Sequence, residues 1–309
     1  MGLINARKLN NFRRYIPLCI MCLPGIVYLL VNNYIPMAGL VIAFKEFNYR
    51  KGIFGSDWIG FKNFEFLFRT SDAFVITRNT ILYNIAFIVI NTIGSIITAV
   101  MLSEITNKIM LRIYQTVILL PYLISIVIAS YLVYAFLSTD VGFINRSILP
   151  LLGKAPITWY QVPKYWPYIL PIVNFWKGIG FTSVIYLSSI VGIDRSYFEA
   201  AELDGASKLQ GIWHITMPLI TPVVTMMLLL AVGRMFYSDF GLFFQVPMNS
   251  GAIYSTTNVI DTYVYRGLIE LNNIGMAAAA GLYQSVVGFI LVVSSNLIVR
   301  RINPENALF

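Results

Sequence analysis

The chain has 309 residues, of which 58% are hydrophobic and 12% are charged, and its formal net charge at neutral pH is +8. Because soluble domains carry about 25% charged residues, this composition excludes a soluble globular protein and predicts an integral membrane protein. The single histidine, His214, excludes a metal site built from several histidines.

Six long apolar runs predict six membrane-spanning helices. A helix needs about 20 apolar residues to cross a bilayer, and these runs are continuous rather than alternating, which favours helices over the strands of a barrel. The runs are Tyr15–Phe44, Asn79–Leu102, Arg112–Leu137, Pro167–Val191, Pro218–Tyr237 and Gly275–Val299. The chain then divides into a basic N-terminal segment (1–14), a first span with its outer loop (15–78), a core of five helices (79–299) that contains an inner loop (192–217), and a C-terminal segment (300–309).

The distribution of lysine and arginine predicts the orientation of these spans. If both termini lie inside, the inner segments and the outer loops each hold ten such residues. The inner segments are shorter, about 60 residues against about 100, so their positive charge is denser, and the basic segment before the first span points the same way. Both termini are therefore predicted to be cytoplasmic.

The inner loop has a local chemistry that predicts two short helices. Ser196 and Glu199 match the capping box S-x-x-E, which would begin the first helix. Gly205 would end this helix, because glycine readily adopts the left-handed conformation found after helix ends. A second capping box begins at Ser207, and Pro218 would then open the fifth span.

The spacing of this segment, E-A-A-x3-G-x9-I-x-x-P, resembles the signature loop of the permease subunits of binding-protein-dependent ABC importers. In that family the loop receives the motion of the ATPase subunit, and the resemblance implies the same role here. The residues that would dock the ATPase are Glu199, Ala200, Ala201, Asp204, Gly205, Ile215 and Pro218. From the residues alone, the alternative that Glu199 only caps its own helix stays open.

The resemblance extends over nearly the whole chain. The chain is similar to the sub-branch of permeases that import oligosaccharides and polysaccharide fragments, which includes the membrane subunits of the alginate importer. The segments that carry this resemblance are Tyr34–Lys45, Trp58–Gly60, Val259–Arg266 and Gly281–Gly288.

This resemblance implies an all-α type I importer fold in the bacterial cytoplasmic (inner) membrane. Spans two to six would form the core, and the first helix would be an addition to it. The implied partners are a second homologous permease as heterodimer partner, two ATPase subunits that bind ATP and Mg²⁺, and an extracytoplasmic sugar-binding protein. We expect no cofactor or metal on this chain, and no nucleic-acid partner.

Polar residues in the fourth and fifth runs are candidate contacts of the transported solute. Lys177 lies deep in the fourth run, where a lysine costs roughly 2.5–3.5 kcal/mol on insertion scales and therefore faces protein or water. Asn174 and Trp176 lie beside it, and Arg234 approaches the outer end of the fifth run. Either these residues bind sugar hydroxyls, carboxylates or rings, or they hydrogen-bond between helices and anchor at the interface. The sequence leaves both interpretations open.

Other function classes are less compatible with the sequence. A stand-alone secondary transporter commonly uses carboxylates inside its spans, and the six runs contain no Asp or Glu. A membrane enzyme is disfavoured because neither H-E-x-x-H nor G-x-S-x-G occurs, and we expect no catalytic residue. The sequence has no G-x-x-x-x-G-K-[ST] loop, so ATP would be bound by a separate protein. An importer of a non-sugar solute would share the inner loop and remains an alternative.

Overall fold

Helices make up most of the part of the chain that the computed structural model describes, which is residues 2–65 and 71–302. The long helices are α1 (Gly2–Leu29), α2 (Ser71–Ser103), α3 (Lys108–Leu123), α4 (Ile126–Leu137), α5 (Trp166–Val191), α6 (Arg195–Leu203), α7 (Met217–Gly233), α8 (Ile260–Ile269) and α9 (Ile274–Ile302). Shorter α-helices lie at Ile35–Met37, Gly52–Gly55, Leu149–Leu151, Lys208–Gly211, Phe240–Gln245 and Tyr254–Thr257. The predicted all-α fold is confirmed.

A small antiparallel hairpin follows the first span. Its strands are β1 (Lys45–Glu46) and β2 (Asp57–Trp58), and their register pairs Lys45 with Trp58 and Glu46 with Asp57. Residues 66–70 of the predicted outer loop and 303–309 of the predicted C-terminal segment lie outside the described residues.

Within the described ranges, five helices are long and apolar enough to cross a membrane, and a bent pair can supply a sixth span. The five are Tyr15–Phe44, Ser71–Ser103, Pro163–Val191, Lys208–Gly233 and Ile274–Arg301, and the bent pair is α3 with α4. These five helices and the bent pair correspond to the six predicted spans, although the second, fourth and fifth begin earlier than expected.

The third predicted span, Arg112–Leu137, is not one straight helix. Its two parts, α3 and α4, are bent by 94°, because Ile124 and Ser125 have extended backbone conformations with ψ angles of 132° and 149°. The Ser125 hydroxyl accepts a hydrogen bond from the Ile128 N–H at 3.3 Å and so caps the start of α4. The apolar run conceals this break because the residues on both sides of it are equally hydrophobic.

A proline follows each of the three π-helical segments found in the described residues. The segments are Leu30–Tyr34, Ile144–Ile148 and Ile212–Thr216, and the prolines are Pro36, Pro150 and Pro218. Proline has no N–H, and in an α-helix its ring collides with the carbonyl four residues earlier, so a wider π turn before it relieves the clash. The fifth span therefore runs through Pro218 and begins at Lys208 rather than at the proline.

The central helix of the fold is α5, which packs most extensively against α2 and also against α3 and α7. Two buried apolar clusters lie along it. One cluster includes Tyr83, Phe87, Trp166, Leu170 and Phe243, and the other, nearer the inner loop, includes Ala99, Leu102, Tyr186, Leu187 and Ile220. The end of α5 that leads into the inner loop is therefore held firmly by its neighbours.

A single buried amide, that of Asn145, organises the loop between α4 and α5. Its side chain is 3% exposed. The Nδ2 atom donates to the carbonyl oxygens of Ser138, Thr139 and Ile157, and the Oδ1 atom accepts from the Ile157 N–H and the Trp159 Nε1. The loop thus has a defined conformation although it contains few regular elements.

Replacing Asn145 by Ala should loosen this loop, because it leaves several buried backbone groups without a partner. We expect the free energy of unfolding to fall by about 3 kcal/mol and trypsin to cleave faster at the exposed Lys154. Thermal unfolding in detergent and timed trypsin digestion measure both effects. Arg146→Ala is the control, since its side chain makes an exposed hydrogen bond to Asp140; equal stability of the two variants would contradict the assignment.

Candidate functional site

The inner loop begins directly after α5 with a capped short helix. The Asp194 carboxylate accepts a hydrogen bond from the Ser196 N–H at 3.0 Å, and α6 starts at Arg195. The predicted capping box of Ser196 and Glu199 is therefore wrong. Asp194 stands two residues ahead of Ser196 and its carboxylate is the stronger acceptor, so it takes the N-cap position and leaves Glu199 without a capping role.

The end of α6 is a glycine stop, as the sequence predicts. The Ala206 N–H donates to the Ala201 carbonyl at 2.9 Å, and the Gly205 N–H donates to the Glu202 carbonyl at 3.0 Å. This pair of bonds is a Schellman motif, and Gly205 has the positive φ of +80° that such a motif requires. The second predicted capping box, between Ser207 and Gln210, is also confirmed.

The helix α6 has one face toward the protein and one toward the surroundings. Phe198 and Ala201 are half-buried, and Phe198 contacts Gly211. Leu203, on the opposite face, is 89% exposed, and Tyr197, at the flank of the helix, is 57% exposed. These two side chains leave apolar surface of α6 uncovered by the rest of the chain.

The residues predicted to dock an ATPase differ in their exposure. Glu199, Ala200, Asp204, Gly205 and Pro218 are exposed, whereas Ala201 and Ile215 are half-buried. Among the described residues, no hydrogen bond or ion pair engages the Glu199 carboxylate. The structure thus presents this carboxylate free at the edge of a cleft.

That cleft, of about 480 Å³, separates α6 from the ends of α2 and α5. Charged side chains line it, among them Glu104, Arg195, Glu199, Glu202 and Lys208. Lys208 and Glu104 form an ion pair at 2.9 Å, but both side chains are well exposed, so the pair adds little stability. Its effect is to tie the inner loop to the short connection between α2 and α3.

The four candidate solute contacts do not form one cluster of mutually bonded groups. Lys177 Nζ donates to the carbonyl oxygens of Ile124, at the break after α3, and of Pro121, in the last turn of α3. Asn174 Oδ1 accepts from Asn91 Nδ2 of α2 at 2.7 Å.

The other two candidates lie nearer the surface. Trp176 is 38% exposed, and Arg234 is exposed at the end of α7. The observed bonds of Lys177 and Asn174 join helices, and a role of any of the four residues in solute binding stays a prediction.

A buried polar network on the far side of the molecule escaped the sequence reasoning. Arg266 is 9% exposed, donates to Asn249 and Asn258, and stacks on the Tyr254 ring at 4.1 Å. In the sequence this network is indicated only by the segment Val259–Arg266, which carries the family resemblance but contains no recognised chemical motif. One partner of Arg266, Thr262, lies one helical turn away, but Asn258 and Asn249 lie 8 and 17 positions away, a spacing that corresponds to no local motif.

Comparison with known proteins places these features in a known context. The sequence model of the family described as "binding-protein-dependent transport system inner membrane component" matches residues 90–304. Protein LplB of Bacillus subtilis (strain 168) is 30% identical, with 93% of this chain and 90% of that protein covered. The polygalacturonan/rhamnogalacturonan transport system permease protein YteP of the same organism is 31% identical, with 93% and 89% covered.

Solved structures are also similar over nearly the full length. A chain of a bacterial ABC transporter involved in the import of the acidic polysaccharide alginate is 32% identical, with a TM-score of 0.87 and with 96% of this chain and 99% of that chain covered. A chain of the bacterial alginate ABC transporter in complex with an alginate pentasaccharide-bound periplasmic protein is 31% identical, with a TM-score of 0.86 and coverage of 95% and 97%.

The cap of α6 yields a first test of the inner loop. Asp194→Ala should raise the rate of amide hydrogen exchange in residues 195–203 by about fivefold, because a lost N-cap costs about 1 kcal/mol. Asp194→Asn should change the rate little, since asparagine caps as well. Ser196→Ala is the control; if it accelerates exchange more than Asp194→Ala, the predicted cap was right and the observed one is not.

The same cap determines a pH dependence. The Ser196 backbone N–H holds the pKa of the Asp194 carboxyl below its usual range. A group with a lowered folded pKa stabilises above its unfolded pKa of about 4 and loses this effect as pH falls through the folded value. Protection of residues 195–203 against exchange, corrected for the intrinsic rate, should therefore be equal at pH 6 and pH 8 in the wild type and should fall once the pH drops below about 4, a fall that Asp194→Asn should lack.

Proposed function

Because the chain belongs to the family of inner-membrane components of binding-protein-dependent transport systems, we propose that it carries an oligosaccharide or polysaccharide fragment across the bacterial cytoplasmic membrane. The solute would be delivered by an extracytoplasmic sugar-binding protein. The observation that supports this most is similarity over nearly the whole length to permeases named for polygalacturonan, rhamnogalacturonan and alginate transport. Those three polysaccharides contain acidic sugars, and the net charge of +8 on this chain is compatible with such a solute.

The relatives of this chain are permease subunits of transporters and not enzymes. We propose that the energy comes from ATP and Mg²⁺ bound by two separate ATPase subunits, since the sequence has no P-loop of its own. A second, homologous permease would complete a heterodimer. The exposed apolar side chains along the first span leave a large surface for lipid or for this partner.

The inner loop is the proposed docking site of the ATPase. The exposed side chains of Tyr197, Ala200 and Leu203 lie at i, i+3 and i+6, so they share one face of α6. At its edge the unpaired Glu199 carboxylate is placed to accept hydrogen bonds from a basic residue of the partner. The Schellman turn at Gly205 then sets the angle between α6 and the helix that begins at Lys208.

Motion of the docked loop would reach the membrane through α5. Only residues 192–194 separate α5 from α6, and α5 is packed against α2, α3 and α7. ATPase closure would therefore displace α5 with α6 and open the core toward the binding protein, and hydrolysis would reset it. In this arrangement the inner loop and both termini are cytoplasmic.

The docking role predicts that changes in the inner loop lower transport and leave the membrane fold intact. Glu199→Ala should keep the complex in the membrane and lower solute-stimulated ATPase activity and uptake together, by about tenfold. Gly205→Pro should do the same by a different route, because proline cannot adopt a φ of +80°. The measurement uses the chain co-expressed with its partner permease and ATPase, reconstituted in liposomes with alginate oligosaccharides or oligogalacturonides and the binding protein.

Glu202→Ala is the matched control, since it removes a carboxylate from the same helix outside the motif positions. It should retain most of the activity. Normal uptake in both the Glu199 and the Gly205 variants would refute the docking role. A purified chain that recruits no ATPase and moves solute down an ion gradient would favour a secondary transporter.

A further inference from the structure

The carbonyl end of α3 lies within the third span and needs hydrogen-bond donors that lipid does not supply. The last carbonyl groups of an α-helix have no partner inside the helix, and they form the negative end of its dipole. Lys177 of α5 reaches this end, and its Nζ lies 2.5 Å from the Ile124 oxygen and 3.4 Å from the Pro121 oxygen. A bilayer interior offers no alternative donor to these carbonyls, so the contact is worth more here than at a water-exposed helix end.

The positive charge of Lys177 has no carboxylate partner among the described residues. Burying a lysine without compensation is costly, and the carbonyl dipoles at the end of α3 are what compensates it. The ammonium group and the helix end therefore satisfy each other. Because its donors are already bonded to backbone carbonyls, Lys177 differs from a side chain whose donors are free to bind a solute.

The place where the end of α3 meets Lys177 of α5 is called the joint below. Two more contacts hold α3 against α5 at this joint, one turn further along α5. At Gly180 a Cβ atom would lie 2.1 Å from the Ile118 carbonyl oxygen, so only glycine allows the two backbones to approach so closely. Phe181 stacks on Tyr122 with ring centroids 4.8 Å apart and an interplanar angle of 12°. The last turns of α3 are thus held to α5 by a charge, a close backbone contact and a stacked pair.

On the far side of the break, α4 packs against a different element. A Cβ atom at Gly241, in the short helix Phe240–Gln245, would lie 2.9 Å from Ile126 Cγ2 of α4. The break therefore connects a part held by α5 with a part held by the segment after α7. Because α5 leads through three residues into α6, the middle of α5 carries the joint and its end carries the inner loop.

We propose that Lys177 is a positioning residue for transport: it fastens the bend between α3 and α4 to α5, so that the bend moves when the inner loop moves. The distance from Lys177 to the end of α5 is about 21 Å along the helix, and a packed helix transmits displacement over that length. Lys177 acts on the solute through the orientation of α4 and does not bind it. This inference rests on the proposed function, because docking at α6 supplies the displacement.

The bend itself can be measured without transport. Spin labels at Ile113→Cys in α3 and Tyr131→Cys in α4 occupy exposed positions, 51% and 64% exposed. The background is a chain in which Cys19 and Cys22, both exposed, are replaced by Ser. Electron–electron resonance then reports the distance between α3 and α4 in the assembled complex.

Lys177→Met keeps the length of the side chain and removes its donors. It should shift or broaden the distance distribution between the two labels, whereas Lys177→Arg, which keeps the charge and the donors, should restore it. Lys164→Met is the matched control, because it removes an exposed lysine from the outer end of the same span. An unchanged distribution in Lys177→Met would overturn the proposal.

If Lys177→Met does not assemble, Gly180→Ala tests the same joint, because the added Cβ pushes against the Ile118 carbonyl. It should alter the same label distance, and an unaltered distance would count against the proposal. Neither measurement needs a solute or ATP, so a failure here is distinguishable from a failure of the proposed function.

Transport kinetics separate positioning from solute binding. With alginate oligosaccharides as probe, Lys177→Met should lower the maximal uptake rate by about tenfold and leave KM within about twofold, and Lys177→Arg should recover most of the rate. If Lys177→Met instead raises KM about tenfold for acidic oligosaccharides at an unchanged maximal rate, Lys177 binds the solute and the positioning role is overturned.

Discussion

Every backbone N–H and C=O group inside a membrane must find its partner within the protein, and the architecture of this chain follows from that requirement. A straight helix meets it without help, but a span that ends or bends in the bilayer leaves carbonyl groups exposed. At the 94° break between α3 and α4 the side chain of Lys177 meets this need. Without this donor the Pro121 and Ile124 carbonyl groups would lose the partner that Lys177 gives them.

The same requirement is met elsewhere by different means. Asn63 donates from one amide nitrogen to the carbonyls of Ala43 and Lys45, where the first span ends. Before Pro36 and Pro218 the helix widens into a π turn, which accommodates the proline without ending the span. The polar side chains of the membrane part thus act mainly on their own backbone, and this explains how spans without carboxylates still contain several amides and a lysine.

The inner loop differs from the spans, because most of its side chains are exposed and its short helix has to keep a stable conformation without being enclosed by other helices. Its helix α6 has only nine residues, too few to persist as an isolated helix in water. A carboxylate cap at one end, a Schellman turn at the other and Phe198 against Gly211 hold it in place. The rest of its surface, with Tyr197, Leu203 and the unpaired Glu199, is free for a partner. In the proposed mechanism, a short helix held in this way would transmit force to α5 rather than unfold.

The sequence by itself determined the features that depend on neighbours along the chain. The six spans follow from runs of apolar residues, the end of α6 follows from Gly205, and the next helix start follows from Ser207, because each needs only residues within one or two turns.

Tertiary structure decided the rest. The break at Ile124 is invisible in an evenly apolar run, because its stabilising donor is Lys177, more than fifty positions away. Likewise, Asn145 orders its loop through residues as distant as Trp159. The cap of α6 lies between these cases, since Asp194 and Ser196 were both available locally and the observed backbone geometry selected Asp194. Hydrogen bonds between distant residues form only once the helices have packed, and no local pattern encodes which carbonyl a lysine will reach.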